Sequence, residues 1–194
     1  MRAEWVWAIV LIAAAAWLLL RPIRPSSPPA LSAEEARAFN AEIPIVPNSL
    51  QAAHAFHFRG TTAAREQATR CLATAALYEA GADETGQKAV IQVVLNRVRS
   101  PRFPKTICGV VYQGSTLPTG CQFSFACDGS ATRRPQREGW SEARNSARLA
   151  LSGHVFRPVG QATHYHADYV VPDWMHSFDK IAQIHAHIFY RDRQ

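Results

Sequence analysis

Glu79 closes a helical pattern, CLATAALYEA, in which Leu72, Ala75, Ala76 and Glu79 fall at i, i+3, i+4 and i+7. That spacing sets a carboxyl at the end of an apolar helix face. A carboxyl buried there resists ionisation, so its pKa rises. An acid that keeps its proton near neutral pH can protonate a glycosidic oxygen. The same periodicity also fits a Glu that emerges into solvent where the helix stops at Gly81, because most Glu side chains are exposed. Tyr78, Asp83, Glu84 and Gln87 flank it. A two-carboxylate glycosidase needs a second acid across the cleft. Asp83, one turn along if the helix continues, and Glu84 just beyond are the local candidates; both also suit a solvated loop.

Two further clusters could carry chemistry. In THYHADY, residues 163–169, a strand would point His164, His166 and Asp168 to one side. Two imidazoles and a carboxylate could hold a metal, or they could form a polar strip along a substrate groove with Tyr165 on the core side. No HExxH or CxxC spacing accompanies them, so no metal and no cofactor is expected. His185 and His187, about 200° apart on a predicted helix, read as structural. The other cluster is Tyr112, Gln113, Gln122, Phe123, Ser124 and Phe125. Aromatic rings beside amides suit a sugar ring with its apolar faces and hydroxyl edges. Phe123 and Phe125 share a strand face and read as core, leaving Gln122 and Ser124 toward a groove.

The elements that must position these residues follow from periodicity and caps. Ser32 and Glu35 form a capping box for a helix over 33–41, ended by Pro44 and Pro47, and residues 42–61 read as an irregular lead-in. Helices are predicted over 62–80 and 86–99, with a short one at 107–113 and another over 138–151 that Gly153 stops. Alternation predicts strands at 120–128 and 161–168. Ser177 caps a predicted last helix carrying Ile181, Ile184 and Ile188. Helices outnumber short, antiparallel strands, which is an α+β domain, mainly helical with a small antiparallel β-sheet.

The 194 residues have room for one domain and its appendages, and 47% hydrophobic against 19% charged residues excludes a largely disordered chain. A formal charge of +6 favours an anionic setting. Without a recognition helix, RNP-like aromatics or zinc-finger spacing, nucleic acid is not the expected partner. From Trp5 to Leu20 the chain is uncharged and would span about 24 Å as a helix, near the roughly 30 Å hydrocarbon core. It reads as an uncleaved signal anchor, although the alanines from Ala13 to Ala16 also suit a cleavable signal. PIRPSSPPA at 22–30 is a stiff spacer. The expected layout is therefore a membrane helix over 1–21, a Pro-rich linker and lead-in helix over 22–61, and a catalytic domain over 62–194. The four cysteines, Cys71, Cys108, Cys121 and Cys127, allow three connectivities. If Gln122 to Ala126 is one extended strand, Cys121 and Cys127 lie about 20 Å apart and do not pair.

ALYEAG, GQKAVIQVVLNRVRSPRFPKTICGVVYQG, GCQFSFACDG, ATHYHADYVVPDW and KIAQIHAHIFYR, in unbroken order over roughly residues 66–191, resemble the cell-wall hydrolase family named after the spore-cortex-lytic enzymes. The resemblance implies a lysozyme-like domain that cuts the glycan strands of peptidoglycan, as a lytic transglycosylase. It places the catalytic glutamate in Tyr78-Glu79-Ala80 and so decides against the solvent-exposed reading of Glu79. The family has another Glu about four residues on. Here Asp83 holds that spacing, Glu84 follows, and Gly86-Gln87 arrives about one residue early. The groove is expected to involve Tyr78, Asp83, Gln87, Tyr112, Gln113, Gln122, Ser124, His164, Tyr165 and His166. Competing expectations are a muramidase using water, a zinc-dependent amidase or peptidase on His164, His166 and Asp168, and a non-catalytic wall-binding module. Peptidoglycan as partner implies a body outside the cytoplasmic membrane, anchored or exported.

Overall fold

The computed structural model describes residues 31–47, 52–117, 120–130 and 138–193. The expected membrane segment and Pro-rich spacer lie outside the described residues. None of the described helices is long and apolar enough to cross a membrane. Residues Leu31–Gln194 form one compact unit, mainly helical with a small antiparallel sheet of three strands.

Helix α1 (Ala33–Glu42) opens on the expected capping box, with Ser32 N–H donating to Glu35 Oε2 (2.8 Å) and Glu35 N–H donating to Ser32 Oγ (3.2 Å). Its Ala36 and Asn40 are buried, and at its C-terminal end Lys180 Nζ donates to the carbonyls of Asn40 (2.7 Å) and Ile43 (3.0 Å). A cation there satisfies carbonyls that the helix leaves open. Helix α1 thus belongs to the same unit as residues 62–194.

Helix α2 (Thr62–Ala80) starts at Thr61, whose hydroxyl accepts from Ala64 N–H (3.2 Å), and stops at Gly81, whose backbone takes φ 55°. Only glycine enters that region cheaply. Asp83 then caps α3 (Glu84–Arg99), its Oδ1 accepting from Thr85 N–H (3.1 Å). The helix therefore does not continue through Asp83. Ala89, Val90, Ile91, Val93, Val94 and Leu95 of α3 are all buried. Gln87, Gln92, Asn96 and Arg97 are buried as well, so α3 is surrounded by the rest of the fold. The alanines Ala73, Ala75 and Ala76 let α2 come close to its neighbours. Helices α4 (Ile107–Val111) and α5 (Trp140–Leu151) complete the helical layer, and the Cys71–Cys108 disulfide ties α2 to α4 with Cα atoms 5.4 Å apart.

Strands β1 (His164–Ala167), β2 (Phe178–Ile184) and β3 (His187–Asp192) pair antiparallel in the order β1-β3-β2. Tyr165 stands opposite Phe189, and His166 opposite Ile188. One face, with Phe189 and Ile181, packs on Ala89 and Val93 of α3. The other carries Ile188 and Tyr190 against Met175, Trp174 and Phe178.

Two expected elements are replaced. The last helix is instead the β2–β3 hairpin: Ile181 lies on β2, Ile188 on β3, and His185 makes the turn with φ 50°. Ile188, Phe189 and Tyr190 are all buried because β3 is the central strand. A continuous apolar run has no alternation to separate strand from helix, and no Asn-Gly or Asp-Gly marks the turn. The expected strand at 120–128 is a 3-10 turn over Ser124–Ala126, in which Ser124 O accepts from the N–H groups of Cys127 and Asp128 (both 3.0 Å). This brings Cys121 and Cys127 to a Cα separation of 6.1 Å, and they are disulfide-bonded. Phe123 and Phe125 are buried as expected.

Candidate active site

Leu72, Ala75 and Ala76 are fully buried, and the face they form ends at the half-buried Glu79. The carboxyl meets β1, where Tyr165 Oη donates to Glu79 Oε2 at 2.8 Å. Burial pushes the Glu79 pKa up from its ordinary value, while the Tyr165 hydrogen bond and the nearby Arg97 charge oppose the rise. Glu79 therefore holds its proton more tightly than a surface acid, yet has two groups ready to stabilise the carboxylate once the proton leaves.

Arg97 comes from α3 and is 3% exposed. Its Nε donates to Thr163 O (2.7 Å), and its guanidinium carbon lies 5.3 Å and 5.5 Å from the ring centroids of Phe103 and Phe123. Nη1 is buried without a hydrogen-bond partner among the described residues. Burial lowers the Arg97 pKa, and Tyr165 and Glu79 counter that shift. A fixed positive charge at a carboxyl in poorly hydrated surroundings acts more strongly than one in water.

Glu79, Arg97 and Tyr165 share a cleft of about 460 Å³ with Tyr78, Gln122, Ser124, His166 and His187. Tyr78 stacks on Phe125, with centroids 4.7 Å apart, and donates to Ser130 O (2.6 Å). Ser124 reaches the cleft from the 3-10 turn and Gln122 from the bend just before it, rather than from a strand. His166 Nε2 meets Tyr190 Oη (2.9 Å), and burial lowers its pKa, so the ring is biased toward neutral. Among the described residues lining the cleft, Glu79 is the sole carboxylate.

The other expected site residues lie elsewhere. Asp83 Oδ2 meets His185 Nδ1 (2.6 Å) at the tip of the β2–β3 hairpin. Burial alone would raise the Asp83 pKa, but the His185 hydrogen bond and the N–H groups of Gly86 and Thr85 bring it below its ordinary value. Gln87 is fully buried, with Nε2 donating to the carbonyls of Gly81 and Gly139, which pins the end of α2 to the start of α5. Tyr112 packs edge-on to Phe125, and Gln113 O accepts from Gln122 N–H (3.0 Å). His164 sits among Phe103, Trp174 and Phe178, where burial, with Arg97 and Arg102 nearby, lowers its pKa to about 4. Asp168 pairs with Arg37 of α1 (3.2 Å). His164, His166 and Asp168 thus have separate partners, and among the described residues no group of three His, Cys, Asp or Glu converges to hold a metal.

Arg97 and His187 were not expected in the cleft. The signal for Arg97 was a charge inside the apolar run VVLNRV. His187 was hidden by its assignment to a helix.

The cell wall hydrolase family matches residues 81–190. The chain belongs to the cell wall hydrolase family. Glu79 stands just ahead of the matched residues. The spore cortex-lytic enzyme of Halalkalibacterium halodurans is 34% identical over 110 residues, covering 56% of this chain and 30% of that protein. That of Bacillus subtilis is 31% identical over 122 residues, covering 62% and 36%. The chain thus spans about a third of the length of the curated relatives it matches. The catalytic domain of the germination-specific lytic transglycosylase SleB from Bacillus anthracis superposes with a TM-score of 0.53 at 28% identity. That match covers 69% of this chain and 99% of the domain. The Bacillus cereus SleB catalytic domain gives 0.51 at 29% identity, over 70% of this chain and 95% of that domain. The cleft therefore sits on a fold shared with those catalytic domains.

Proposed function

We propose that the chain cleaves peptidoglycan glycan strands between N-acetylmuramic acid and N-acetylglucosamine as a lytic transglycosylase. Glu79 is its acid and then its base. Support comes from family membership, from the lytic transglycosylase among its structural relatives, and above all from Glu79 being the single carboxylate among the described residues that line the cleft. Protonated Glu79 gives its proton to the bridging oxygen as the muramic C1 gains oxocarbenium character. The carboxylate left behind, stabilised by the Tyr165 hydroxyl and the Arg97 charge, takes the proton of the muramic C6 hydroxyl. That oxygen closes on C1 as a 1,6-anhydro ring. No water attacks, so the second carboxylate of a two-acid hydrolase has no task. Within residues 31–193, the undescribed segments 48–51, 118–119 and 131–137 contain no Asp or Glu.

In this reading Tyr78, Gln122, Ser124, Tyr165 and His166 line the glycan groove. Asp83, Gln87, Tyr112, Gln113 and His164 support it from outside. Residues 1–21 anchor the chain in the cytoplasmic membrane, 22–61 hold the spacer and lead-in helix, and 62–194 carry the chemistry. The paired cysteines fit an oxidising compartment outside that membrane.

Digestion of purified sacculi, followed by analysis of the cut ends, tests the reading. Anhydro-muramic termini that disappear with Glu79→Gln support it. Reducing termini make the protein a water-using muramidase. Release that a chelator stops points to a metal peptidase. Binding without soluble fragments leaves a wall-binding module.

A further inference from the structure

Tyr169 borders the Glu79 cleft beside Val170, with 49% of its surface exposed. One exposed aromatic means little by itself. What sets this one apart is how its backbone is held. Asn40 of α1 is 1% exposed, and its Nδ2 donates to both carbonyls that flank the residue, Asp168 O at 2.7 Å and Val170 O at 2.9 Å. The Asn40 Oδ1 is buried with no partner among the described residues, an arrangement that costs stability. Arg37, one turn earlier on α1, pairs with Asp168 and sets its guanidinium carbon 5.7 Å from the Tyr169 ring centroid. Lys180 fixes the far end of α1 to β2. A helix ahead of the family match thus holds an exposed ring at the edge of the cleft.

We propose that Tyr169 is a stacking platform for a pyranose ring of the glycan strand, presented by α1, an extension of the substrate site that rests on the glycan-cleaving reading above. An N-acetylated pyranose offers an apolar C–H face that fits an aromatic ring, while its hydroxyl and amide edges need polar partners. Gln122 and Ser124 supply such partners in the same cleft. Because Asn40 has already ordered the backbone around Tyr169, little freedom is lost when the sugar settles on it. Helix α1 is then part of the substrate site, and Asn40 and Arg37 are positioning residues that act through Tyr169.

The test uses the full chain and glycan strands stripped of peptide. Tyr169→Ala raises KM about tenfold with kcat within about twofold of wild type, the pattern of lost binding rather than lost chemistry. Tyr169→Trp restores KM, and Asn40→Ala shifts it in the same direction as Tyr169→Ala. An unchanged KM in a Tyr169→Ala protein that melts like wild type overturns the proposal. So does a loss seen only on strands that carry peptide. Co-sedimentation with sacculi in the Glu79→Gln background reads binding independently of turnover. If the wild type releases no fragments, the cleavage reading fails, while this assay still decides whether Tyr169→Ala weakens glycan binding.

Discussion

Glu79 and Asp83 flank the same Gly81 turn, yet their surroundings drive them in opposite directions. Glu79 ends an apolar face, where burial outweighs the Tyr165 hydrogen bond and its proton is held more tightly than that of a surface acid. Asp83 begins the next helix, where N–H groups and a histidine favour its anion. The helix break between them makes the difference: one acid is the last residue but one of α2 and the other is the cap of α3. Two acids near in sequence thus have opposite proton affinities, and in the proposed reading they do separate work, proton transfer and local structure. The pair does not have the character of an acid and nucleophile facing one sugar.

Substitution at Glu79 should break this comparison hardest. Glu79→Gln keeps the shape of the side chain and removes the proton, so cleavage should fall by about 10³-fold or more, measured as soluble fragments released from sacculi. The fold should be retained, and near neutral pH the variant should melt higher than wild type. A carboxyl whose pKa is raised in the folded state favours folding below its ordinary value and loses that contribution as pH rises through the folded value. The melting difference should therefore shrink toward pH 4, where both states of the wild type are protonated.

Tyr165→Phe comes next. It removes the donor to the Glu79 carboxylate, and a hydrogen bond to a charged group is worth about 1.5–3 kcal/mol, so kcat should drop roughly 10-fold or more. It should also move the alkaline limb of the pH–activity curve upward, because Glu79 then keeps its proton to higher pH. Arg97→Gln should shift that limb in the same direction by removing a neighbouring positive charge, whereas Arg97→Lys should leave it closer to wild type. A limb that stays in place in both Tyr165→Phe and Arg97→Gln would separate these residues from the Glu79 cycle.

Much of this was legible in the sequence where a local rule controls the outcome. The capping box at Ser32 and Glu35, the Gly81 stop, and the apolar face leading to Glu79 all appear in the structure. The β2–β3 hairpin was not legible, since central burial erased the alternation of β3 and its turn uses His185 instead of glycine or asparagine. The Cys121–Cys127 bond was hidden for a related reason: Phe123, just ahead of the 3-10 turn, and Phe125 within it are both buried, and their spacing imitates a strand. At the site, histidines in THYHADY drew attention through their chemical versatility, but the tyrosine between them makes the contact with Glu79. Only the register of β1 and its packing on α3 fix which of these alternating side chains meets Glu79.

The smallest effect on catalysis should come from Asp83, and it sharpens the comparison from the other side. Asp83→Ala removes the cap of α3 and the contact to the hairpin tip. It should cost about 1 kcal/mol of stability near neutral pH, read as a fall of about 2–4 °C in melting temperature, with turnover within about twofold of wild type. The sign of the pH dependence is opposite to that at Glu79. A carboxylate whose pKa is lowered in the folded state stabilises it above the ordinary value, and that contribution fades as pH falls through the folded value. The gap between wild type and Asp83→Ala should therefore narrow only in stronger acid, below the ordinary Asp value, at a lower pH than that at which the gap between Glu79→Gln and wild type vanishes. A collapse of turnover in a well-folded Asp83→Ala protein would instead bring Asp83 into the chemistry and revive the two-carboxylate hydrolase.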